Sequence, residues 1–474
     1  MVKPKSCFIG GQWLAPATGV GAVLHNPATG EKIGETTLAT AAEADQAVAA
    51  ARQTFEWFSL SSHGERKAML ERLLAAFEAA ASDLEELLIR EVGVGRRVAE
   101  GQSVMCRAHI ETALHLLESY EFTSTPADNV LVVKEPVGVC VAITSWNNPI
   151  SQILCKAVPA IAAGCTVVVK PSELAPLIGI RVAEVFAEAA LPAGIFNLVT
   201  GGGADVGARL VAHPEVDMIS FTGSVPGGAA VARGAAPTIK RVHQELGGKS
   251  PNIVLPDADL EAVIPLSVAM CFMNSGQVCA APTRLIVPED RFADVAAIAI
   301  ATVTKMVVGD PRDPATDMGP LANAAQYARV QRYIQSALDE RLPLLVGGLG
   351  HPKGLEAGFF ARPTIFGPVP RDATIAREEI FGPVLVIHCY RDEDEAIAIA
   401  NDTTFGLAAY VESPDLDHAQ RVARRIRAGH VTINFPRWNR HAPFGGYKQS
   451  GNGRQFGVWG FEEYLETKAI VTSG

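Results

Sequence analysis

Three side chains in the sequence have the chemistry that covalent catalysis at a carbonyl carbon needs. Cys279 lies in a glycine turn, MNSGQVCAAPTR, directly after a predicted helix. Glu245 ends a predicted strand in QELGGKSPN, and Asn147 follows the first strand of a predicted sheet in SWNNPI. A thiol can act as a nucleophile, a carboxylate as a base and an amide as a donor to an oxyanion. Taken singly, each residue type is more often structural; taken together, they predict a site for nucleophilic catalysis.

Two glycine-rich turns are weaker signals for a nucleotide. The segment FTGSVPGG (221–228) follows a predicted strand and opens a predicted helix, with Pro226 in its first turn, so its backbone amides could hold a phosphate. The glycines at 201–203 are followed by Gly207, one residue too far for the GxGxxG fingerprint. The standard pyrophosphate turn is therefore not predicted, and the turn at 221–228 is equally consistent with packing.

The elements that must position these side chains form an alternating pattern. From residue 138, short β-branched runs (GVCVAITS, TVVVK, IFNLVTG, VDMISFTGS, IKRVHQEL) alternate with helical stretches. This predicts a doubly wound parallel sheet, which binds ligands at the carboxyl ends of its strands. Two amphipathic helices precede it, and the helix after TVVVK is predicted to begin at an N-cap, Ser172. A second α/β region begins near Gly248, with strands predicted at 252–255, 284–288, 383–387 and 431–434, so the chemistry is expected in a cleft between two domains.

Composition excludes several classes of protein. The chain has 474 residues, 48% of them hydrophobic, and a formal net charge of −10, which indicates a folded protein and argues against a nucleic-acid partner. No apolar run reaches the length of a membrane helix, and the N-terminus lacks the apolar region of a signal peptide. The eight cysteines show no CxxC spacing. We therefore expect a cytoplasmic protein with no metal site and no membrane partner.

Seven motifs occur in order over nearly the whole chain: SWNNP (145–149) with Lys156, KPSE (170–173), FTGS (221–224), ELGGKSP (245–251), GQVCA (276–280), EEIFGPV (378–384) and PFGGYKQSGNGR (443–454). In this order and approximate spacing they resemble the aldehyde dehydrogenase superfamily. Seven ordered motifs are far more specific than any one of them. The resemblance implies an NAD-dependent enzyme of the hydrolytic type, which oxidises an aldehyde to a carboxylic acid.

The resemblance also implies a role for each catalytic residue. Cys279 would attack the aldehyde to give a thiohemiacetal, and hydride transfer from that adduct would leave a thioester. Asn147 and the backbone amide of Cys279 would hold the oxyanion. Glu245 would activate the water that hydrolyses the thioester, and Lys156 belongs to the same catalytic set.

The cofactor residues carried over from the family are Trp146, Lys170, Ser172, Glu173, Gly223, Ser224, Leu246, Glu379 and Phe381. Of these, Lys170 and Glu173 would bind the adenosine ribose, and Gly223 and Ser224 would lie near the pyrophosphate. Because a carboxylate at Glu173 repels a 2′-phosphate, NAD is predicted to be preferred and NADP to bind more weakly. Pro226 and Gly227 depart from the family pattern, in which many relatives carry an acidic residue at the start of this helix.

The positions that would line the substrate entrance are Asn148, Gln152, Cys155, Met273, Val278, Trp438 and Phe444. Asn148 replaces an aromatic residue common in the family, and Cys155 stands where relatives acting on succinate semialdehyde often place a carboxylate-binding arginine. An aromatic or medium-length apolar aldehyde is therefore the predicted substrate. Arg437 and Arg440 leave open a substrate with a distal carboxylate, unless both are solvated or paired across a subunit interface.

The resemblance finally implies a division of the chain. Residues 1–117 and 138–247 would form the NAD-binding domain, 248–447 the catalytic domain, and 118–137 with 462–474 an oligomerisation arm, implying a homodimer or homotetramer. Three rivals remain: an acylating relative that depends on coenzyme A, a non-enzymatic member of the fold, and a cysteine hydrolase. The base Glu245 argues against the first, the complete catalytic set against the second, and the absence of a nominated histidine against the third.

Overall fold

A computed structural model describes residues 6–16 and 18–473 of the chain. In chain order, its strands are β1 (Cys7–Ile9), β2 (Gln12–Leu14), β3 (Gly21–His25), β4 (Lys32–Thr37), β5 (Thr123–Ala127), β6 (Val130–Pro136), β7 (Val139–Ile143), β8 (Thr166–Lys170), β9 (Phe196–Val199), β10 (Met218–Thr222), β11 (Arg241–Glu245), β12 (Pro251–Val254), β13 (Arg284–Pro288), β14 (Leu344–Val346), β15 (Thr364–Phe366), β16 (Val384–Tyr390), β17 (Ala408–Glu412), β18 (His430–Ile433), β19 (Gly451–Asn452) and β20 (Leu465–Val471).

The α-helices, again in chain order, are α1 (Ala41–Phe58), α2 (His63–Val92), α3 (Arg96–Ser119), α4 (Pro149–Ala163), α5 (Pro176–Glu188), α6 (Ala208–Ala212), α7 (Val225–Ala235), α8 (Leu260–Phe272), α9 (Phe292–Lys305), α10 (Ala324–Asp339), α11 (Thr374–Arg377), α12 (Glu393–Asn401), α13 (Leu416–Ala423) and α14 (Gly457–Glu462). Among the described residues, no helix is both long and apolar enough to cross a membrane.

The first sheet has the strand order β19-β11-β10-β7-β8-β9-β1-β2. Strands β7 to β11 run parallel, and antiparallel partners close both edges. The chain builds outward from β7 to β8 and β9, then returns to the other side of β7 with β10 and β11. The strand order therefore reverses between β7 and β10, and ligands of open parallel sheets bind at the carboxyl ends beside such a reversal. The predicted doubly wound sheet is confirmed.

Two helix predictions need correction. Three helices, not two, precede the parallel strands, because α3 follows α2 after the short turn at 93–95. Ser172 is not an N-cap: α5 begins four residues later, and its first free amides, those of Leu177 and Ile178, both donate to the Glu91 carboxylate of α2 at 2.9 Å. A buried carboxylate from a neighbouring helix thus does what a local cap would do.

The second sheet has the order β14-β15-β16-β13-β12-β17-β18 and is parallel except for β14. One face packs on α8 and α9, and the other packs on α12 and α13. The strand predicted at 284–288 is observed with those bounds, and the other three predicted strands are shifted by one to three residues at their ends.

A third, three-stranded sheet joins the two segments expected to form the arm, in the order β20-β6-β5. Strand β20 pairs antiparallel with β6 over its full length, and its outer residues are exposed. The domain boundaries and the oligomeric role of this sheet stay predictions.

Candidate active site

The carboxyl ends of the first sheet bring the predicted catalytic loops together. Asn147 follows β7, Gly223 follows β10, and Glu245 is the last residue of β11. The amide of Gly223 donates to the carbonyl of Glu245 at 3.0 Å, which fixes the two loops side by side. The site therefore lies at the reversal of strand order.

Hydrogen bonds from Asn147 connect this edge to the loop that carries Cys279. Its Nδ2 donates to the carbonyl of Gln277 at 2.9 Å, and its Oδ1 accepts from the Ser145 hydroxyl at 2.7 Å. The side chain of Asn274 donates back to the Asn147 carbonyl at 3.3 Å. Only one of the two Nδ2 hydrogens is used by Gln277, so the second stays available to an oxyanion next to Cys279.

Cys279 differs from most other cysteines of the chain in being accessible. Six of the eight are buried, whereas Cys279 and the remote Cys389 are partly exposed. Desolvation, followed by the charges of Glu245 and Glu379, raises the pKa of Cys279 to about 12, and the backbone amides of Cys279 and Ala280 oppose the rise. Because only the thiolate is a strong nucleophile, this thiol must lose its proton before it can attack a carbonyl carbon.

Glu245 has the burial expected of a general base that activates water. The side chain is buried, and neither carboxylate oxygen has a hydrogen-bond partner among the described residues. Desolvation raises the pKa of Glu245 to about 8, against the opposing charges of Lys156 and Arg454. A Cβ added to Gly445 would lie 2.9 Å from Oε1, so the glycine makes room for this carboxylate. A carboxylate with a pKa near neutrality is well matched to general-base work.

Lys156 is buried one helical turn from Gln152, on α4. Its Nζ donates to the Thr222 hydroxyl at 2.7 Å and to the Gln152 amide oxygen at 3.0 Å. Burial lowers the pKa of Lys156, and the charges of Cys155 and Glu245 oppose this. The amide oxygen of Gln152, predicted to line the substrate entrance, is therefore already bound to Lys156.

The predicted adenosine-side residues follow β8. Lys170 Nζ is buried and donates to the carbonyls of Pro171 at 2.8 Å and Gly201 at 2.7 Å, and to the half-exposed carboxylate of Glu173 at 3.3 Å. Ser172 is buried, and its hydroxyl accepts from the Leu174 amide. Lys170 thus fixes Glu173 at a sheet edge where ribose hydroxyls could reach it.

The predicted pyrophosphate and nicotinamide residues lie across the same edge. Ser224 caps α7 by accepting from the Gly227 amide at 3.3 Å, and the start of the helix follows Gly223 directly. Glu379 accepts from the Gly248 amide at 2.9 Å, and a Cβ on Gly247 would lie 2.1 Å from its other oxygen.

The remaining cofactor positions are apolar. Trp146 meets Phe381 edge to face, with ring centroids 5.5 Å apart, and Leu246 is buried against Gly228. Two carboxylates, those of Glu173 and Glu379, a helix N-terminus and a pair of aromatic rings are the kinds of group that fit a dinucleotide.

The predicted substrate positions fall into two groups. Asn148, Met273 and Val278 are partly exposed around Cys279, and the Asn148 side chain does not cap α4. Trp438 and Phe444 instead lie in the loop at 434–447. Cys155 is buried, with Sγ 3.6 Å from the Gln455 amide oxygen.

Trp438 and Phe444 belong to a cluster of aromatic rings, which we call the aromatic wall. The sequence analysis missed two of its members, Phe456 and His109. Phe456 stacks on Phe444 at 5.6 Å and on His109 at 4.9 Å, and Trp438 meets both His109 and Phe456 edge to face at 5.9 Å. The signal for Phe456 was its place just after the last motif; His109 of α3 had none. Of the two arginines in this loop, Arg437 is exposed, and Arg440 pairs with Glu111 of the same chain at 2.9 Å, a partner that the sequence did not indicate.

Comparison with known proteins decides the family. A family model described as Aldehyde dehydrogenase family matches residues 13–470. This chain belongs to the aldehyde dehydrogenase family. As an aldehyde dehydrogenase it is an oxidoreductase, and both the resemblance and the α/β fold expected from it are confirmed. The described residues of this aldehyde dehydrogenase contain no cluster of three or more metal-ligating side chains.

Several characterised aldehyde dehydrogenases are similar over nearly their whole length. The chain is 47% identical to 3-succinoylsemialdehyde-pyridine dehydrogenase of a Pseudomonas species, with 98% of each chain covered. It superposes with a TM-score of 0.97 and 49% identity on a cysteine-to-alanine mutant of aldehyde dehydrogenase C from Pseudomonas syringae, complexed with NAD+ and octanal, covering 98% and 96% of the two chains. Betaine aldehyde dehydrogenase from Staphylococcus aureus, complexed with NAD+, superposes with a TM-score of 0.96 at 34% identity, covering 99% and 95%.

Proposed function

We propose that this aldehyde dehydrogenase oxidises an aromatic or medium-length apolar aldehyde to its carboxylic acid with NAD, through a thioester on Cys279 that Glu245 helps to hydrolyse. The observation that carries the proposal is the buried carboxylate of Glu245, unpartnered among the described residues and with a raised pKa, beside the partly exposed thiol of Cys279. A buried acid without a partner costs stability, so its retention beside a nucleophile argues for function.

The first half of the reaction uses the thiol and the amide. The thiol of Cys279 loses its proton to water, and the sulfur attacks the aldehyde carbon to form a C–S bond. The new oxyanion is held by the free Nδ2 hydrogen of Asn147 and by the backbone amide of Cys279. When bound, NAD+ accepts the hydride that leaves the thiohemiacetal, and the carbonyl of a thioester is restored.

The second half uses the carboxylate alone. Glu245 accepts a proton from water, and the resulting hydroxide adds to the thioester carbon. The C–S bond then breaks, which releases the carboxylic acid, and the proton held by Glu245 passes to the Cys279 sulfur, so that the free thiol and the carboxylate are both restored. The acylating alternative would need a coenzyme A thiol in place of water, and a buried general base argues against it.

Residues of this chain also support the cofactor. Glu173, held by Lys170, would accept hydrogen bonds from the adenosine ribose, and Glu379 would do the same for the nicotinamide ribose. The N-terminus of α7 would face the pyrophosphate. Relatives complexed with NAD+ support this choice, while weaker use of NADP follows from the charge of Glu173 and the buried Lys170 that partly offsets it.

The substrate class follows from the wall around Trp438, Phe444 and Phe456. These rings provide flat apolar surface, and octanal in one relative and a pyridyl semialdehyde in the name of another are consistent with an apolar chain or ring. The alternative is a semialdehyde with a distal carboxylate, but Arg440, the cation near this wall, is paired with Glu111. We further expect a cytoplasmic homodimer or homotetramer assembled through the three-stranded sheet.

A panel of aldehydes tests the proposal. Benzaldehyde, hexanal and cinnamaldehyde should show higher kcat/KM with NAD than acetaldehyde or succinate semialdehyde, and NADH should appear without coenzyme A. A preference for succinate semialdehyde or acetaldehyde over all three contradicts the substrate class. Strict dependence on coenzyme A contradicts the hydrolytic mechanism.

A further inference from the structure

One ion pair connects α3 to the loop at residues 434–447, which we call the Trp438 loop. Arg440 Nη1 contacts Glu111 Oε2 at 2.9 Å, and the side chains are 39% and 33% exposed. The other oxygen of Glu111 accepts from Arg107 at 2.8 Å, and Arg107 also contacts Glu78 at 3.1 Å. Both carboxylate oxygens of Glu111 are therefore engaged, and the charge of Arg440 is neutralised within the chain.

The same loop forms part of the aromatic wall of the substrate pocket. Trp438, two residues before Arg440, packs edge-on against His109 of α3 and against Phe456. Phe444 exchanges backbone hydrogen bonds with Gln455 at 2.9 and 2.7 Å. The position of Arg440 is thus fixed by rings that also face the predicted substrate.

Arg440 also lines a small cavity together with Cys155, a predicted substrate position, and Phe456. The cavity holds about 20 Å³, room for a single water. Its walls combine apolar groups, among them Cys155 of α4 and Phe456, with the polar side chains of His109 and Thr112, and Arg440 is the one acidic or basic side chain among the described lining residues besides His109. Within this lining, a free guanidinium would be the natural partner for a carboxylate at the far end of a substrate.

We infer that Glu111 is a specificity-determining residue that acts through Arg440: it neutralises the guanidinium and so disfavours aldehydes with a distal carboxylate. The inference rests on the proposed function and deepens it. The Glu111 carboxylate occupies the guanidinium of Arg440, so an anionic substrate cannot pair with it. The same carboxylate also repels the negative charge of such a substrate. Uncharged aldehydes of the same length are unaffected, because they need neither charge.

The test compares two substrates of equal chain length, hexanal and 6-oxohexanoate, which differ in the distal carboxylate. Glu111→Gln leaves Arg440 unpaired and should lower KM for 6-oxohexanoate about two- to fivefold, the worth of a partly exposed ion pair. The kcat for 6-oxohexanoate and the kinetics with hexanal should stay within about twofold, and the gain should shrink as salt screens the charges.

Three variants isolate the cause. The double variant Glu111→Gln/Arg440→Gln should lose the gain, and Arg440→Lys with Glu111→Gln should keep part of it. Glu118→Gln is the matched control: it removes the Lys67–Glu118 pair of 2.7 Å from the same helix, away from the Trp438 loop, and should change nothing. No gain in Glu111→Gln, or a gain that survives loss of Arg440, overturns the inference.

A binding measurement separates this inference from the proposed function. Adipate, an unreactive dicarboxylate of the same length, should raise the Tm of Glu111→Gln more than that of the wild type. That shift needs no turnover. If wild-type protein reduces no NAD with any aldehyde, the proposed function fails, and the adipate comparison still decides whether Glu111 masks Arg440; equal shifts in both proteins refute the masking.

Discussion

Replacing Glu245 by Gln should separate the two halves of the reaction. The substitution keeps the size of the side chain but removes the base that activates water. Hydride transfer to NAD should still occur once, because the thiohemiacetal forms on Cys279. Hydrolysis of the thioester should then limit turnover. The expected time course is a rapid burst of NADH, close to one equivalent per active site, followed by slow turnover.

The magnitude follows from the pKa of Glu245, which burial raises from 4.5 to about 8. At pH 7 only about a tenth of this carboxylate is ionised, so a rate that depends on the base should rise about tenfold between pH 7 and pH 9. Loss of a general base typically costs about 100- to 10,000-fold. Steady-state turnover of Glu245→Gln should therefore fall at least about 100-fold and lose its rise with pH.

Stopped-flow absorbance of NADH measures the burst. Steady-state assays from pH 6 to pH 9 measure how the turnover rate depends on the ionisation of Glu245. Full steady-state activity of Glu245→Gln at neutral pH would refute the assignment, as would loss of the burst together with turnover. Glu412→Gln is a matched control. Glu412 is buried in β17, its oxygens have no hydrogen-bond partner among the described residues, and burial raises its pKa to about 8, yet the mechanism does not use it.

Both substitutions should also change stability, with the same sign. A carboxylate whose pKa is raised on folding binds more protons in the folded state, so stability falls as pH rises from about 4.5 through about 8. Glu245→Gln and Glu412→Gln should therefore raise the Tm relative to wild type at pH 9 more than at pH 5. We expect Glu412→Gln to have a higher Tm and normal turnover, and Glu245→Gln to have a higher Tm and greatly reduced turnover. That difference would identify catalysis as the reason why the destabilising carboxylate of Glu245 is kept.

Three further predictions concern single contacts of the site. Cys279→Ala should abolish NADH formation, including the burst, while NAD still binds by calorimetry; residual turnover would exclude Cys279 as the nucleophile. Asn147→Ala should lower kcat about 100- to 1000-fold with a smaller change in KM, because one oxyanion donor is lost, and a KM effect alone would show that Asn147 only supports the Gln277 loop. Glu173→Gln should raise kcat/KM with NADP relative to NAD, since the charge that repels the 2′-phosphate is gone; an unchanged ratio would place cofactor discrimination elsewhere.

The sequence predicted the parts of this molecule that depend on local pattern. Alternating apolar runs predicted the parallel strands, and the ordered motifs predicted the family, because each motif needs only its own residues to be recognised. The helix start at α5 was mispredicted because its cap, Glu91, lies about 86 residues earlier. A carboxylate that reaches a helix N-terminus from another helix leaves no local signal, whereas a capping serine does.

The same limit applies to the candidate site. Cys279, Glu245 and Asn147 were predicted as types of residue, but the burial that raises the pKa of the thiol and of the carboxylate depends on packing between distant segments. Arg440 was expected to be solvated or to pair with another subunit, since nothing near it in the sequence offers a partner. Its partner Glu111 lies on a helix 329 residues away in the chain.

The site is assembled from both large sheets, and this assembly explains why a costly carboxylate can be kept there. Asn147, after a strand of the first sheet, binds the Gln277 carbonyl next to Cys279, and Glu379 binds the Gly248 amide just after β11. These contacts join the loops of the two sheets at the candidate site. An unpaired acid in such a place destabilises the fold, but the same desolvation brings its pKa close to neutrality, where a base can both accept and release a proton. The energetic cost and the catalytic use of Glu245 therefore have one cause, and a substitution that relieves the first should abolish the second.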